Sequence, residues 1–271
     1  MKKVISFSLW GERKKYTVGL LKNVLLTEQV YRGWDCYIYY DNTVPGDCIR
    51  ELVKYRHVEL INMEGSPIPK IMWRIIAIDN SDVEIMIVRD ADSRLSEREK
   101  SAVDQWLRTN KKYHIMRDHH IFHDIPMLGG MWGMKKDNYV MKDLILVWCG
   151  KLDSIPLFDN DFNPSNKSFG FDQQFLREVI YPKALLSCVC HDDFYNYPSN
   201  VSYPKKRTSN KDFVGAIYNE NDIYDYDRNG LVPTSLGQKL TWKFRLQILP
   251  QIKRRVPKTL KRYWRQLLRF H

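Results

Sequence analysis

Apolar and polar positions alternate along this chain in two distinct rhythms. Val4 to Leu9 is a short apolar run with the length and composition of a strand. Tyr16 to Val30 places Leu20, Leu21, Val24 and Leu25 on one side, which is helical spacing. Gly33-Trp34-Asp35 predicts a turn and Cys36 to Tyr40 a strand that ends at Asp41. Pro45 opens a short helix to about Tyr55, and Val58 to Asn62 is a strand. Pro69 starts a helix through Ile78, and Val83 to Val88 is a strand. Ser96 caps the next helix, to about Arg108, with Glu99 at the capping-box position. Strand and helix in alternation predict an α/β fold: a mixed, mostly parallel sheet with helices on both faces.

The strand at Val83–Val88 stops abruptly at Arg89-Asp90-Ala91-Asp92. In extended backbone, side chains two apart point the same way, so Asp90 and Asp92 share a direction. Ligands of such sheets bind where strands leave the core. Two adjacent carboxylates repel unless a positive charge lies with them. A hard divalent cation, Mn²⁺ or Mg²⁺, carrying a diphosphate answers that need. The plainer reading is a solvated loop in which one Asp caps the next helix or pairs with Arg89 or Arg94. The position after a buried strand favours the first.

This order of elements, ending in Asp90-Ala91-Asp92, resembles the nucleotide-sugar glycosyltransferases of the GT-A fold over about residues 1–195. That family has a Rossmann-like N-terminal half whose DxD carboxylates hold a metal against the donor diphosphate. The resemblance implies that Ser8, closing the first strand, and Asp41, closing the second, lie at the base and ribose. Arg74 on the helix before the DxD strand is placed to reach the diphosphate, although an exposed helix arginine is the plainer reading. Asp41, equally, could serve only as a turn cap. A phosphatase of the HAD type also uses DxD, but on its first strand, and Arg94 stands against it.

Three later stretches extend the picture. "HIMRDHHIFHDIPMLGGMWGMKK" (114–136) clusters His119, His120 and His123 without a nearby cysteine, which suggests polar lining rather than zinc. Within it, Gly129-Gly130 reads as a turn into a strand, and Trp132 as a sugar-stacking or core residue. "SFGFDQQFLREVI" (168–180) starts a helix near Asp172, where Asp172 and Gln173 resemble the catalytic-centre motif of several retaining transferases. The plainer role for Asp172 is an N-cap. "LLSCVCHDDFY" (185–195) ends a strand at His191, which matches in order and type the family's last metal ligand, with Asp192 and Asp193 as alternates or with the whole end as a solvated turn.

Charge separates the chain into parts. The net charge is +11, from 43 Lys and Arg against 32 Asp and Glu. Residues 238–271 hold 11 of the basic groups and no acidic one, so the remainder is balanced, 43 − 11 = 32 against 32. Near the end, Leu260, Tyr263, Trp264, Leu267 and Leu268 fall on one helical face, with Lys261, Arg262, Arg265 and Arg269 around it. That pattern predicts amphipathic helices lying on an anionic membrane surface. Nucleic acid is the rival partner, and it does not need the apolar stripe; packing of the stripe onto the body is the third reading. The expected division is 1–215 transferase domain, 216–237 linker and 238–271 membrane-associating segment.

Five cysteines without a CxxC spacing suit reduced thiols in the cytoplasm. The opening Met1–Trp10 lacks a cleavage site and is expected to be the first strand instead of a leader. No apolar run approaches membrane-spanning length.

Together these expectations describe a metal-dependent hexosyltransferase, peripheral at the inner membrane face. Its donor is a UDP-sugar and its acceptor a glycan or lipid-linked saccharide in surface-polysaccharide synthesis. The Asp-Gln resemblance leans toward retention. The alternatives are a metal-dependent nucleotidyl- or phosphotransferase and a non-catalytic membrane- or RNA-binding scaffold.

Overall fold

The computed structural model describes residues 1–153, 170–195, 200–209 and 211–225. One eight-stranded sheet organises them, in the order β3-β2-β1-β4-β6-β5-β7-β8. Its strands are β1 (Lys2–Leu9), β2 (Asp35–Tyr40), β3 (Val58–Asn62), β4 (Val83–Val88), β5 (Tyr113–Arg117), β6 (Trp132–Lys135), β7 (Cys188–Asp192) and β8 (Asn200–Val201). β6 runs antiparallel to β4 and β5, and every other pairing is parallel. The expected mixed, mostly parallel α/β sheet is therefore present.

Period-two alternation assigns the two faces. Ile5, Phe7 and Leu9 of β1 join Leu20, Val24 and Trp106 in one core, beneath α1 (Lys14–Val30), α2 (Gly46–Leu52) and α3 (Glu97–Leu107). Val4, Met86, Val88 and Trp132 pack on the opposite face. There they meet the 3-10 helix Lys70–Asp79, α4 (Met141–Asp153) and α5 (Phe171–Phe175). Helical turns continue from α5 through a π segment, Leu176–Ile180, into α6 (Tyr181–Ala184). Replacing a fully buried anchor such as Trp106 with Ala would cost about 3–5 kcal/mol.

Several local expectations change on folding. The helix after Pro69 is a 3-10 helix. In an α-helix the Arg74 N–H would donate to residue 70; here it donates to Ser8 Oγ at 2.9 Å. Ser96 does cap α3, accepting from Glu99 N at 3.2 Å. The Glu99 carboxylate, however, turns inward and accepts from Arg89 Nε at 2.6 Å and Tyr31 Oη at 2.7 Å, so the reciprocal half of the capping box is not made. The polar-looking segment Tyr113–Arg117 is a fully buried inner strand, β5.

Residues 216–225, the first part of the expected linker, are held against the domain by Tyr218 N donating to Asp92 O at 2.9 Å and by ion pairs of Asp222 and Asp225. Their hydrogen bonds make them part of the domain. The expected segment 238–271, its amphipathic helices and the rest of the linker lie outside the described residues. Among the described residues, no helix is long and apolar enough to cross a membrane. All five cysteines are buried, and none forms a disulfide.

Candidate functional site

The sheet order reverses direction between β1 and β4: β2 and β3 lie to one side of β1, and β4 lies to the other. This is a topological switch point, where a crevice opens beyond the carboxyl ends of the strands. Asp90 and Asp92 leave β4 at this place. The sequence places the DxD pair correctly at a strand end, and the sheet order explains why that end is open.

Arg74 ties the site together. Nη1 donates to Asp90 Oδ1 and, at 2.9 Å, to Arg89 O. Nη2 donates to Asp172 Oδ2 at 3.0 Å. Its own backbone is fixed by Ser8 Oγ. The guanidinium, expected to reach a diphosphate, is buried and committed to two carboxylates. One cation thus brings together Asp90 from β4 and Asp172 from α5, which relieves like-charge repulsion between them.

Gly129 and Gly130 close the other side. A Cβ at Gly129 would overlap Asp172 Oδ2, and one at Gly130 would overlap Asp90 Oδ2. Only glycine lets the backbone before β6 press onto both carboxylates. Trp132, just beyond, is fully buried in the core and is no sugar platform.

The two DxD side chains differ in exposure. Asp90 is 45% exposed at its side chain, whereas Asp92 is 11% exposed and pairs with Lys15 Nζ at 3.3 Å. Burial, then the charge of Asp90, pushes the Asp92 carboxyl above the usual range. Burial also raises Asp172, against the opposing pull of Arg74. Asp172 lies in the first turn of α5, after Gly170 at the N-cap, so it is not the cap itself. Its Oδ1 accepts from Gln173 N at 2.9 Å, and Gln173 is half-buried behind it.

Asp41 follows β2 and accepts from Lys70 Nζ and from Thr43 N at 3.1 Å. Burial raises its pKa, but these hydrogen bonds outweigh burial and hold the carboxyl below the usual range. Thr43 Oγ1 also accepts from Gly11 N at 2.7 Å, which links the ends of β1 and β2.

His191 is not brought to the DxD loop. Its Nδ1 lies 2.8 Å from the buried His114 Nε2, and its Nε2 lies 3.0 Å from Oε1 of Gln105, an exposed residue of α3. The proposed alternates are engaged as well. Asp192 accepts from Arg117 Nε at 2.8 Å, and Asp193 pairs with Arg98 at 2.9 Å and Arg207 at 3.2 Å. A metal-ligand set of Asp90, Asp92 and His191 is therefore not assembled. The His loop is fixed internally: His119 Nδ1 accepts from Ile121 N and Phe122 N, and His123 Nδ1 from Asp118 N. No group of three metal-ligating side chains occurs among the described residues. Two carboxylates suffice where Mg²⁺ or Mn²⁺ is completed by substrate phosphates and water, and the mutual repulsion of Asp90 and Asp92 fits that arrangement.

Sequence reasoning missed the support beneath the loop. Asn23 Nδ2 donates to Ser93 O at 2.9 Å and Ala91 O at 3.3 Å, and its Oδ1 accepts from Leu95 N at 3.1 Å. Gly19 admits the loop, because a Cβ there would overlap Ala91 O. The signal was available: a glycine inside a helix costs about 1 kcal/mol against alanine and asks for a reason. An asparagine between Leu20 and Val24 on the apolar side asks for a buried partner.

No family model and no curated protein matches the chain. Among solved structures, S. aureus TarS 1–349 is similar at 12% identity, over 97% of this chain and 78% of that one, with a TM-score of 0.42. Its complex with UDP-GlcNAc gives 13% identity, the same coverage and a TM-score of 0.40. The 4-diphosphocytidyl-2C-methyl-D-erythritol synthase of Anaerococcus prevotii DSM 20548 is similar at 11% identity, over 91% of this chain and 96% of that one, with a TM-score of 0.39. Likenesses this loose assign no chemistry to the chain.

Proposed function

We propose that the protein is a metal-dependent glycosyltransferase of the GT-A type. It moves a hexose from a nucleotide diphosphate donor, a UDP-sugar, to an acceptor hydroxyl. The observation that carries this reading is the gathering of Asp90 and Asp172 on the single guanidinium of Arg74, at the sheet's switch point.

Asp90 and Asp92 are the residues to hold Mn²⁺ or Mg²⁺ with the donor diphosphate. When bound, that ion supplies charge neutralisation for the departing diphosphate. Ser8 and Asp41, at the ends of β1 and β2, face the base and ribose. Asp172 takes a hydrogen bond from a donor-sugar hydroxyl and, with Gln173, favours retention of configuration. Arg74 does not bind the donor; it orients both carboxylates. The amphipathic pattern of residues 260–269 supports an acceptor at an anionic membrane, a lipid-linked saccharide used in surface-polysaccharide synthesis at the inner face.

The test is a thermal-shift screen of nucleotide sugars with and without Mn²⁺, because a ligand of the native state alone raises apparent stability. One UDP-sugar should stabilise the wild type only with Mn²⁺, and Asp90→Asn and Asp92→Asn should each lose that shift. Product analysis should then find free nucleoside diphosphate and a glycosylated acceptor. Release of pyrophosphate with a nucleotidylated product would replace this reading with nucleotidyl transfer. Full metal-dependent binding in both variants would remove the metal site.

A further inference from the structure

Lys15 is the second residue of α1, which begins just past the end of β1 at the switch point. Its ammonium lies between two carboxylates, 3.3 Å from Asp92 Oδ2 and 2.9 Å from Asp225 Oδ2. Asp225 belongs to the 216–225 segment, which folds back on itself through the Tyr218–Tyr224 bridge and Asp225 N donating to Ile217 O at 3.0 Å. That hairpin is anchored to the site it faces. Tyr218 N holds Asp92 O, Arg94 Nε holds Asp222 at 2.8 Å, and Lys22 Nζ holds Asp222 at 2.6 Å.

We propose that Lys15 is the resident counter-cation of Asp92 and a diphosphate-binding side chain of the donor site, stationed there by Asp225. The inference rests on the glycosyltransferase reading above. Asp90, Asp92 and Asp172 carry three negative charges, and Arg74 and Lys15 carry two positive ones. Arg74 is buried and donates to four acceptors, Ser8 Oγ, Arg89 O, Asp90 and Asp172, which hold it in place. Lys15 is 27% exposed on a flexible four-carbon stem. Asp225 is 51% exposed and gives the ammonium a second resting place. A divalent cation arriving at Asp92 repels the ammonium, which shifts toward Asp225 and the incoming diphosphate. Lys15 therefore opposes metal binding alone and favours the metal with a diphosphate. The positive end of α1, whose first turn contains no acidic residue, adds to the second effect.

The experiment uses the full-length chain. Free Mn²⁺ is titrated by electron paramagnetic resonance. UDP, GDP and CDP are then titrated calorimetrically in turn at saturating Mn²⁺, taking whichever binds the wild type. Lys15→Met should bind Mn²⁺ alone about two- to fivefold tighter and the nucleotide about two- to fivefold weaker. Asp225→Asn should weaken Mn²⁺ binding, because Lys15 is left to Asp92. Lys15→Arg should restore both affinities toward wild type. A purely structural ion pair would move both affinities in the same direction or neither, and either outcome in a folded Lys15→Met protein overturns the proposal. Wild type that binds neither Mn²⁺ nor any of the nucleotides overturns the glycosyltransferase reading and this inference with it.

Discussion

Arg74 donates from Nη2 to Asp172 Oδ2 at 3.0 Å across 98 positions of sequence. The same guanidinium also holds Asp90, so the cation lies between the strand that ends in DxD and the helix that carries Asp172. Both Arg74 and Asp172 are almost wholly buried. A buried charge pair is weak evidence for net stability, but removing one member leaves the other uncompensated.

Arg74→Ala is therefore expected to lower stability by about 3–5 kcal/mol, because it strands Asp172 without its cation. Arg74→Lys should recover only part of the loss, since an ammonium cannot span two carboxylates as a planar fork does. Urea unfolding of the three proteins checks this. A wild-type midpoint in Arg74→Ala would remove the bridging role.

The two glycines before β6 should respond differently to alanine. In Gly129→Ala the new Cβ meets Asp172, whose side chain is 4% exposed and has nowhere to turn. The expected cost is about 1–3 kcal/mol of stability, typical of overpacking. In Gly130→Ala the Cβ meets Asp90, which is half-exposed and can swing outward. Stability should change by less than about 0.5 kcal/mol, while Mn²⁺-dependent nucleotide binding falls. Denaturation and calorimetry on both variants separate these effects; the opposite pattern would contradict the placement of the turn.

The buried imidazole pair predicts acid sensitivity. With His191 Nε2–H donating to Gln105 Oε1, Nδ1 accepts from His114 Nε2–H, and both rings are neutral. Burial presses His191 down to about 4 and His114 well below its ordinary value of 6.5. The unfolded chain takes up these protons first, so stability is present above pH 6.5 and falls as pH drops through that value toward 4. The loss from His191 is on the order of 3 kcal/mol. Several carboxyls with raised pKa, Asp92 and Asp172 among them, act in the opposite sense. The diagnostic is therefore a difference: His191→Gln should flatten the pH 6.5-to-4 slope of unfolding free energy relative to wild type, and an unchanged slope would exclude His191 as its source.

Deletion of residues 238–271 removes 11 basic groups and, on the present reading, no donor contact. The shortened protein should keep its Mn²⁺-dependent nucleotide shift and cease to float with anionic liposomes. Each Lys or Arg near such a surface contributes about 1 kcal/mol. Full-length protein that ignores the liposomes but binds RNA with a steep salt dependence would replace the membrane by nucleic acid.

The sequence by itself determined what depends on near neighbours. Strand β4, its stop at Asp90-Ala91-Asp92 and the Ser96 cap are local patterns of apolar spacing and backbone hydrogen bonding, and they fold as read. The βα alternation likewise determined the class of sheet, because a parallel pair requires a crossover. Only the tertiary structure decided the partners. Arg74 looked like a phosphate ligand and is a bridge between two carboxylates, a role set by the position of α5 on the sheet. His191 looked like a metal ligand because it matches in order and type the last metal ligand of the resembling family. It faces Gln105 and His114 instead, since the pleat of β7 points it beneath α3. Lys15, Asn23 and Gly19 gained their roles from α1 lying against the DxD loop, about 70 positions away in sequence for Asn23. Which charges meet depends on strand order and face, and the reversed strand β6, which brings Gly129 and Gly130 onto the carboxylates, leaves no mark in local periodicity.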